Sequence, residues 1–316
     1  LIIVIDSNIL LYSSKYKAES HLDISENHIL ELFLQRVFSE IIEISKRKGG
    51  EKLRVYALWD DGIAPHKKVV EYKLDRKKDN TEADLNQKKA SLLARDLFYQ
   101  IGICNIASED AEADDFAYFI AATMSNDDKV YLVSEDKDWH QCLLNTNIVI
   151  KKPKKGIYYY LSDFQKNCPI KEISPIKYLQ WEEALIGGHN NVPRALPSGI
   201  GEVKVQNVIK AILENKPIPY IDQSKKVEIL ENFNKYLKII DLSFVLEDEI
   251  KSKFEQIFKE SHKKTRQKTL SRNEQYKLLQ KHCMYVNNIL TTLERVEYDN
   301  SKRGYAINRG CRVEVK

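Results

Sequence analysis

The sequence predicts an α/β fold: a domain with a mainly parallel central sheet, followed by a helical C-terminal half. Two observations carry this. Through the first half, short β-branched apolar runs alternate with segments of helical apolar spacing, the pattern of a sheet built from βα units. The runs are also almost continuously apolar, as strands buried on both faces must be. From residue 175 onward the strand signals stop and helical spacing takes over.

In chain order, "LIIVI" (1–5) is the first strand and "ENHILELFLQRVFSEIIEISKRK" (26–48) the first strongly periodic helix, stopped by Lys-Gly-Gly. "LRVYALW" (53–59) is the second strand. Residues 62–90 are highly charged and poor in large apolar residues, so they predict a segment that orders around a ligand. "QKKASLLARDLFYQIG" (87–102), "ICNI" (103–106), "DDFAYFIAATM" (114–124) and "VYLVS" (130–134) continue the alternation. "IVIKKPKKGIYYYL" (148–161) predicts a hairpin with a basic Pro/Gly turn, its tyrosines packing as strand residues. "PIKYLQWEEALIGG", "VKVQNVIKAILENK" and "KKVEILENFNKYLKII" are the later helices, with a Pro-rich break at 217–219. This divides the chain into 1–174 and 175–316.

Composition narrows the function classes. At 43% hydrophobic and 30% charged residues, the chain has the balance of a soluble globular protein. No apolar run approaches the ~18–20 residues of a membrane span. Cys104, Cys142, Cys168, Cys283 and Cys311 are odd in number and form no CxxC pair, which argues against a disulfide frame or zinc knuckle and for reduced thiols in a cytoplasmic protein. The net charge of +4 names no partner, but its distribution is uneven. Residues 251–283 carry ten Lys/Arg against three Glu, "HKKVVEYKLDRKKD" is basic, and acid concentrates near 109–115 and 127–138. An acidic focus with basic flanks suits a polyanion held around a metal.

The strand ends supply the chemistry. Asp6 follows the first strand, Asp60 (with Asp61 beside it) the second, and Asp136 and Asp138 the "VYLVS" strand. "EDAEADD" (109–115) follows "ICNI" and opens a helix. In open parallel sheets the carboxyl ends of the strands share one edge, so these acids converge. Converging carboxylates repel and would take up protons unless a cation neutralises them. Oxygen ligands without a His/Cys cluster favour Mg²⁺ or Mn²⁺ over zinc. Helix capping accounts for Ser108 and Asp110; Glu112, Asp114 and Asp115 are assigned to metal. His140 and His189 lack metal-ligand spacing and are assigned structural or hydrogen-bonding roles.

On these motifs the chain resembles the flap endonuclease/5′-nuclease family (PIN-like 5′-nucleases), particularly its small bacteriophage members, over roughly residues 1–210. "VIDSN" and "LWDDG" look like the first two Asp motifs, and "EYKLDR" like the Tyr-Lys-x-x-Arg segment at the base of a helical arch (about 62–90). "EAEADD" followed by "SEDKDWHQ" is the most specific part, and "NVPRALPSGIGEVKVQNVI" resembles the helix-hairpin-helix module. The resemblance implies a PIN-like three-layer domain that hydrolyses phosphodiesters near 5′ ends or flaps of DNA, with RNase H activity on RNA–DNA hybrids as an extension. It also implies that Asp6, Asp60, Glu112, Asp114 and Asp115 hold one divalent ion and that Asp136 and Asp138 hold a second or are shared between the two. Lys67, Lys68, Lys73 and Arg76 become phosphate contacts of the arch, Lys73 and Arg76 also catalytic. Gly199, Gly201 and Lys204 become the hairpin's DNA contacts, where K⁺ is a further expected ligand. A single-strand binding protein or a sliding clamp is an implied partner of a monomer. One departure stands out. The family's Gly-Asp-x-x-Asp-Asn-(Ile/Val)-Pro is "IGGHNNVP" here, which leaves Gly187 and Asn190 at the two acidic places. Asn190 offers only a neutral amide oxygen, so the second ion should bind weakly unless His189, Asn191 or substrate phosphate compensates.

Overall fold

A computed structural model describes residues 1–47, 53–68, 81–187 and 192–282. Six strands form one sheet in the order β3-β2-β1-β4-β5-β6: β1 (Ile2–Asp6), β2 (Arg54–Leu58), β3 (Cys104–Ile106), β4 (Val130–Val133), β5 (Ile148–Lys152) and β6 (Ile157–Tyr160). All neighbours pair in parallel except β5 and β6, which form the expected hairpin. The order places β1 at the centre, where its five residues are all buried. The order of the strands reverses at β1: β2 and β3 lie to one side, β4 and β5 to the other. Its carboxyl end is therefore the crevice of an open parallel sheet.

Alternate strand residues face opposite layers. Ile3, Ile5, Val55, Ala57, Tyr131 and Val133 pack against α1 (Ser7–Ser20), α2 (Glu26–Arg47) and α3 (Glu82–Ile101). Ile2, Val4, Tyr56, Leu58, Val130 and Leu132 pack on the other face against α4 (Ala113–Met124) and α9 (Asp248–Lys268). The third layer is thus completed from the C-terminal half, with Phe254 and Phe258 of α9 packed at tilted and edge angles against Phe116 and Phe119. Between them lie α5 (Leu161–Asn167), α6 (Pro175–Ile186), α7 (Glu202–Leu213) and α8 (Lys226–Ile240), and α10 (Arg272–His282) follows α9. Helices α6 to α8 build a separate core around Tyr178, Leu185, Val208 and Phe233. Among the described residues no helix is long and apolar enough to cross a membrane.

Two elements depart from the sequence-based expectation. Helix α1 was not foreseen, because its buried positions include Ser7, Ser14 and Lys15 and make no apolar stripe. Helix α3 starts at Glu82 rather than 87. Thr81 caps it, its Oγ1 accepting from the Asp84 N–H (3.2 Å) while Asp84 accepts from the Thr81 N–H (3.0 Å).

Candidate active site

The strand-end acids meet at the carboxyl edge of the sheet. Asp6 ends β1 and caps α1: Oδ1 accepts from the Ile9 N–H (3.2 Å) and Oδ2 from the Ser134 hydroxyl (2.6 Å) just past β4. Asp60, past β2, accepts from the Ala113 N–H at 2.7 Å and so ties that loop to the first turn of α4. Its neighbour Asp61 turns away into a two-pronged pair with Arg95 of α3 (2.6 and 2.5 Å). After β4, the Asp136 carboxylate accepts from the Asp138 N–H (3.0 Å) and starts the short 3-10 turn Asp138–Cys142.

The tightest cluster opens α4. Glu112 is its N-cap residue, and its N–H donates to Asp115 (2.8 Å). Ligand oxygens of Glu112, Asp114 and Asp115 all lie within 4.8 Å of one another. Into this group projects the ammonium of Lys67, at 3.1 Å from Glu112, 3.2 Å from Asp114 and 2.8 Å from Asp115. Lys67 is only 2% exposed, Glu112 4% and Asp115 0%.

Burial and mutual repulsion push several of these acids, Asp6, Asp114, Asp115 and Asp138, toward the protonated form. Asp6 rises to about 7, first through burial and then through the charges of Asp60 and Asp136; the Ser134 and Ile9 hydrogen bonds only partly offset this. Asp114 and Asp115 rise chiefly through burial, against the pull of Lys67. Asp138 rises well above the carboxylate range through burial, then through Glu183 and Asp136. Glu183, on α6, rises to about 7 through burial and then the charge of Asp136. The acids at this edge therefore outnumber the one ammonium seated among them, that of Lys67. An all-oxygen donor set with an ammonium already seated in it as a stand-in cation fits a hard divalent ion.

The structure places the remaining expected residues as follows. Lys67, expected to face DNA, is buried and points its ammonium into the acid cluster, against the buried Glu112 and Asp115 and the half-buried Asp114. Lys68 is exposed and pairs with Asp110 at 3.0 Å. Lys73, Arg76, His189 and Asn190 lie outside the described residues. Gly199 (φ +88°) and Gly201 form the turn into α7, Gly201 as its N-cap residue. Lys204 donates to the Gly199 carbonyl at 3.3 Å, and Arg194 braces the turn through the Leu196 and Ile200 carbonyls (2.9 and 2.6 Å). His140 stacks on Tyr159, 5.0 Å between ring centres, with its pKa pushed down to about 4 mainly by burial. Glu183 was missed. In the sequence it is one of a Glu-Glu pair on a helix, which reads as solvated surface.

A model of the 5′-3′ exonuclease N-terminal resolvase-like domain matches residues 1–168, more than half of the chain. The chain belongs to the 5′-3′ exonuclease family. Its fold is that family's resolvase-like, PIN-like fold, and the family's members are nucleases. Among solved structures, the bacteriophage T5 D15 protein co-crystallised with metal ions is similar at a TM-score of 0.63 and 17% identity, over 84% of this chain and 99% of that one. A variant of the T5 D15 flap endonuclease, in a pseudo-enzyme-product complex with DNA and metal ions, gives 0.61 and 16% over 84% and 99%. T5 5′-exonuclease with zinc bound gives the same values. No curated protein sequence matches. Within the 5′-3′ exonuclease fold of this chain, all the strand-end acids expected to ligate metal fall at one sheet edge. Asn190 alone of the expected metal ligands lies outside the described residues.

Proposed function

We propose that this protein is a divalent-metal-dependent, structure-specific 5′-nuclease that hydrolyses DNA phosphodiesters at 5′ ends and 5′ flaps. The observation that carries the proposal is the convergence of Asp6, Asp60, Glu112, Asp114, Asp115, Asp136 and Asp138 on the carboxyl edge of the sheet, in a chain of the 5′-3′ exonuclease family. Asp6, Asp60, Glu112, Asp114 and Asp115 would hold one Mg²⁺ or Mn²⁺, some through water, and Asp136 and Asp138 a second. Bound there, the ions supply a hydroxide at neutral pH and charge to steady the leaving oxygen.

The chain's own groups do the rest. Asp6 and Asp60 fix the ends of β1 and β2 against Ser134 and Ala113, so the oxygens are held in place before substrate arrives. Lys68 would contact phosphate, and Lys73 and Arg76, outside the described residues, are proposed as further phosphate contacts. Gly199 and Gly201 open the backbone ahead of α7, whose N-terminal amides suit a duplex phosphate, and Lys204 adds a positive charge beside them. Binding through backbone phosphates makes affinity independent of base sequence and steeply dependent on salt.

Cleavage of a 5′-flap duplex in Mg²⁺ and in Mn²⁺, with a chelator control, tests the proposal; metal-dependent release of the flap strand is expected. Flap binding without cutting in either metal would overturn it. That outcome would establish the second reading, a structure-specific DNA-binding protein with a weakened second metal site. The absence of a carboxylate at Gly187 is the observation that favours this alternative.

A further inference from the structure

Lys15, Lys67 and Lys151 are the buried lysines among the described residues, and their partners differ in kind. Lys15 pairs with Asp84 (2.8 Å) and ties α1 to α3, while Lys151 pairs with Glu40 and Glu43 and ties β5 to α2. Lys67 instead meets carboxylates that converge as a ligand group. Its ammonium lies 3.1 Å from Glu112, 3.2 Å from Asp114 and 2.8 Å from Asp115, whose oxygens are all within 4.8 Å of one another.

The backbone that carries Lys67 is held by other contacts. Ile63 donates its N–H to the Glu109 carbonyl (3.3 Å), and Lys67 donates its own to the carbonyl of the buried Ala64 (2.9 Å). The ammonium sits at the end of a flexible four-carbon stem, so side-chain rotation can withdraw it while the backbone stays docked.

A cation that touches all three carboxylates stands where an ion bound to all three would stand. Mg²⁺ takes its oxygen ligands at about 2.1 Å in near-octahedral geometry, which leaves no room for a second cation among the same oxygens. Two positive charges that close also repel strongly away from water. Ion and ammonium therefore exclude each other.

We infer that Lys67 is an internal competitor of the first divalent ion: its ammonium holds Glu112, Asp114 and Asp115 together and must swing out before the ion binds. The inference rests on the metal-dependent reading proposed above and adds to it a device that sets the ion concentration at which the site fills. A site that is open only while the ammonium is elsewhere has its affinity reduced by that fraction. The lysine thus has opposite effects on the two properties it touches, supporting the fold of the cluster and opposing the ion. A lysine that only braced the cluster, or only contacted DNA, would not oppose the ion.

Calorimetric titration of the whole chain with Mn²⁺ in the absence of DNA tests this, alongside Lys67→Met and Asp114→Asn, with circular dichroism in chelator to confirm folding. Lys67→Met should bind the first ion at least about ten-fold more tightly than the unchanged protein, the gain expected when competition is removed. Asp114→Asn should bind it more weakly. Equal or weaker binding by Lys67→Met, beside a weakened Asp114→Asn, would overturn the competition and leave the metal reading standing. Unchanged binding by Asp114→Asn would overturn the metal reading itself, and the inference with it. If Lys67→Met fails to fold in chelator, Lys67→Gln, which keeps an amide donor for the carboxylates, is titrated instead. Tighter binding than in the unchanged protein is again expected, and equal or weaker binding would again overturn the inference.

Discussion

Adjacent residues with the same side chain have opposite fates here, and that yields the sharpest mutational tests. Asp60 faces the metal edge and holds Ala113, whereas Asp61 is paired with Arg95 on α3. Asp60→Asn should lower flap cleavage by about 100-fold or more, while Asp61→Asn should leave it within a few-fold and lower stability by about 1 kcal/mol, as expected for a partly exposed pair. Equal losses in a cleavage assay would contradict the placement. Lys67 gives a second test. Methionine keeps its apolar stem but leaves Glu112, Asp114 and Asp115 without their ammonium, and breaking a buried ion pair costs about 3–5 kcal/mol. Lys67→Met should therefore melt at a lower temperature than the unchanged protein in chelator, with most of the gap closed by Mg²⁺. A melting temperature unchanged in chelator would show that Lys67 does not hold the cluster. The acids themselves were legible in the sequence because a strand end fixes where a residue lies. Lys67 and Glu183 were not, because a basic run and a Glu-Glu pair on a helix look like solvated surface until tertiary packing turns one member inward.

At the scale of elements, the site depends on loops approaching closely. Gly62, just past β2, lies so near the turn after β3 that an added Cβ would sit 1.9 Å from the Glu109 carbonyl oxygen. Because that neighbour is backbone, Gly62→Ala must displace the Ser108–Ala111 bridge and with it Glu112, the first residue of the acid cluster. Weaker Mn²⁺ binding with little change in far-ultraviolet circular dichroism is the expected result, and native affinity would mean that the two loops can separate without moving the acids. Strand positions were legible because Ile2–Ile5, Val55–Leu58, Val130–Val133 and Ile148–Ile150 are apolar runs, and so was the hairpin turn. Helix α1 was hidden by its own packing, since Lys15 is buried only through its ion pair with Asp84 (2.8 Å), a partner 69 residues away. The contribution of α9 to the sheet's third layer was hidden as well. Its charged face dominates the composition, while only Phe254 and Phe258 announce the buried one.

The whole molecule carries an electrostatic strain that pH and metal should reveal together. Asp6 and Glu183 hold protons up to about pH 7 when folded, against ordinary values of 3.8 and 4.5. Asp114 and Asp138 shift in the same direction. Between those limits the folded chain binds more protons than the unfolded one, so the stability of the metal-free protein falls as pH rises through the window. His140 acts with the opposite sign. Its folded pKa of about 4 lies below the ordinary 6.5, so stability is lost as pH falls between those values. The two effects overlap, and melting temperature in chelator alone cannot separate them. The difference between Mg²⁺ and chelator does, because His140 contributes equally to both conditions while the carboxylates exchange their protons for the ion only in one. The melting-temperature gain from Mg²⁺ should be small near about pH 5 and grow to a plateau near about pH 8, the ion competing with protons over the interval the carboxyls define. In Asp6→Asn the gain should be reduced at the plateau and vary less with pH, since one of the displaced protons is gone. A gain from Mg²⁺ that is flat across this range in the unchanged protein would mean that the ion does not bind where these protons are held, and the strand-end acids would lose their assignment as ligands.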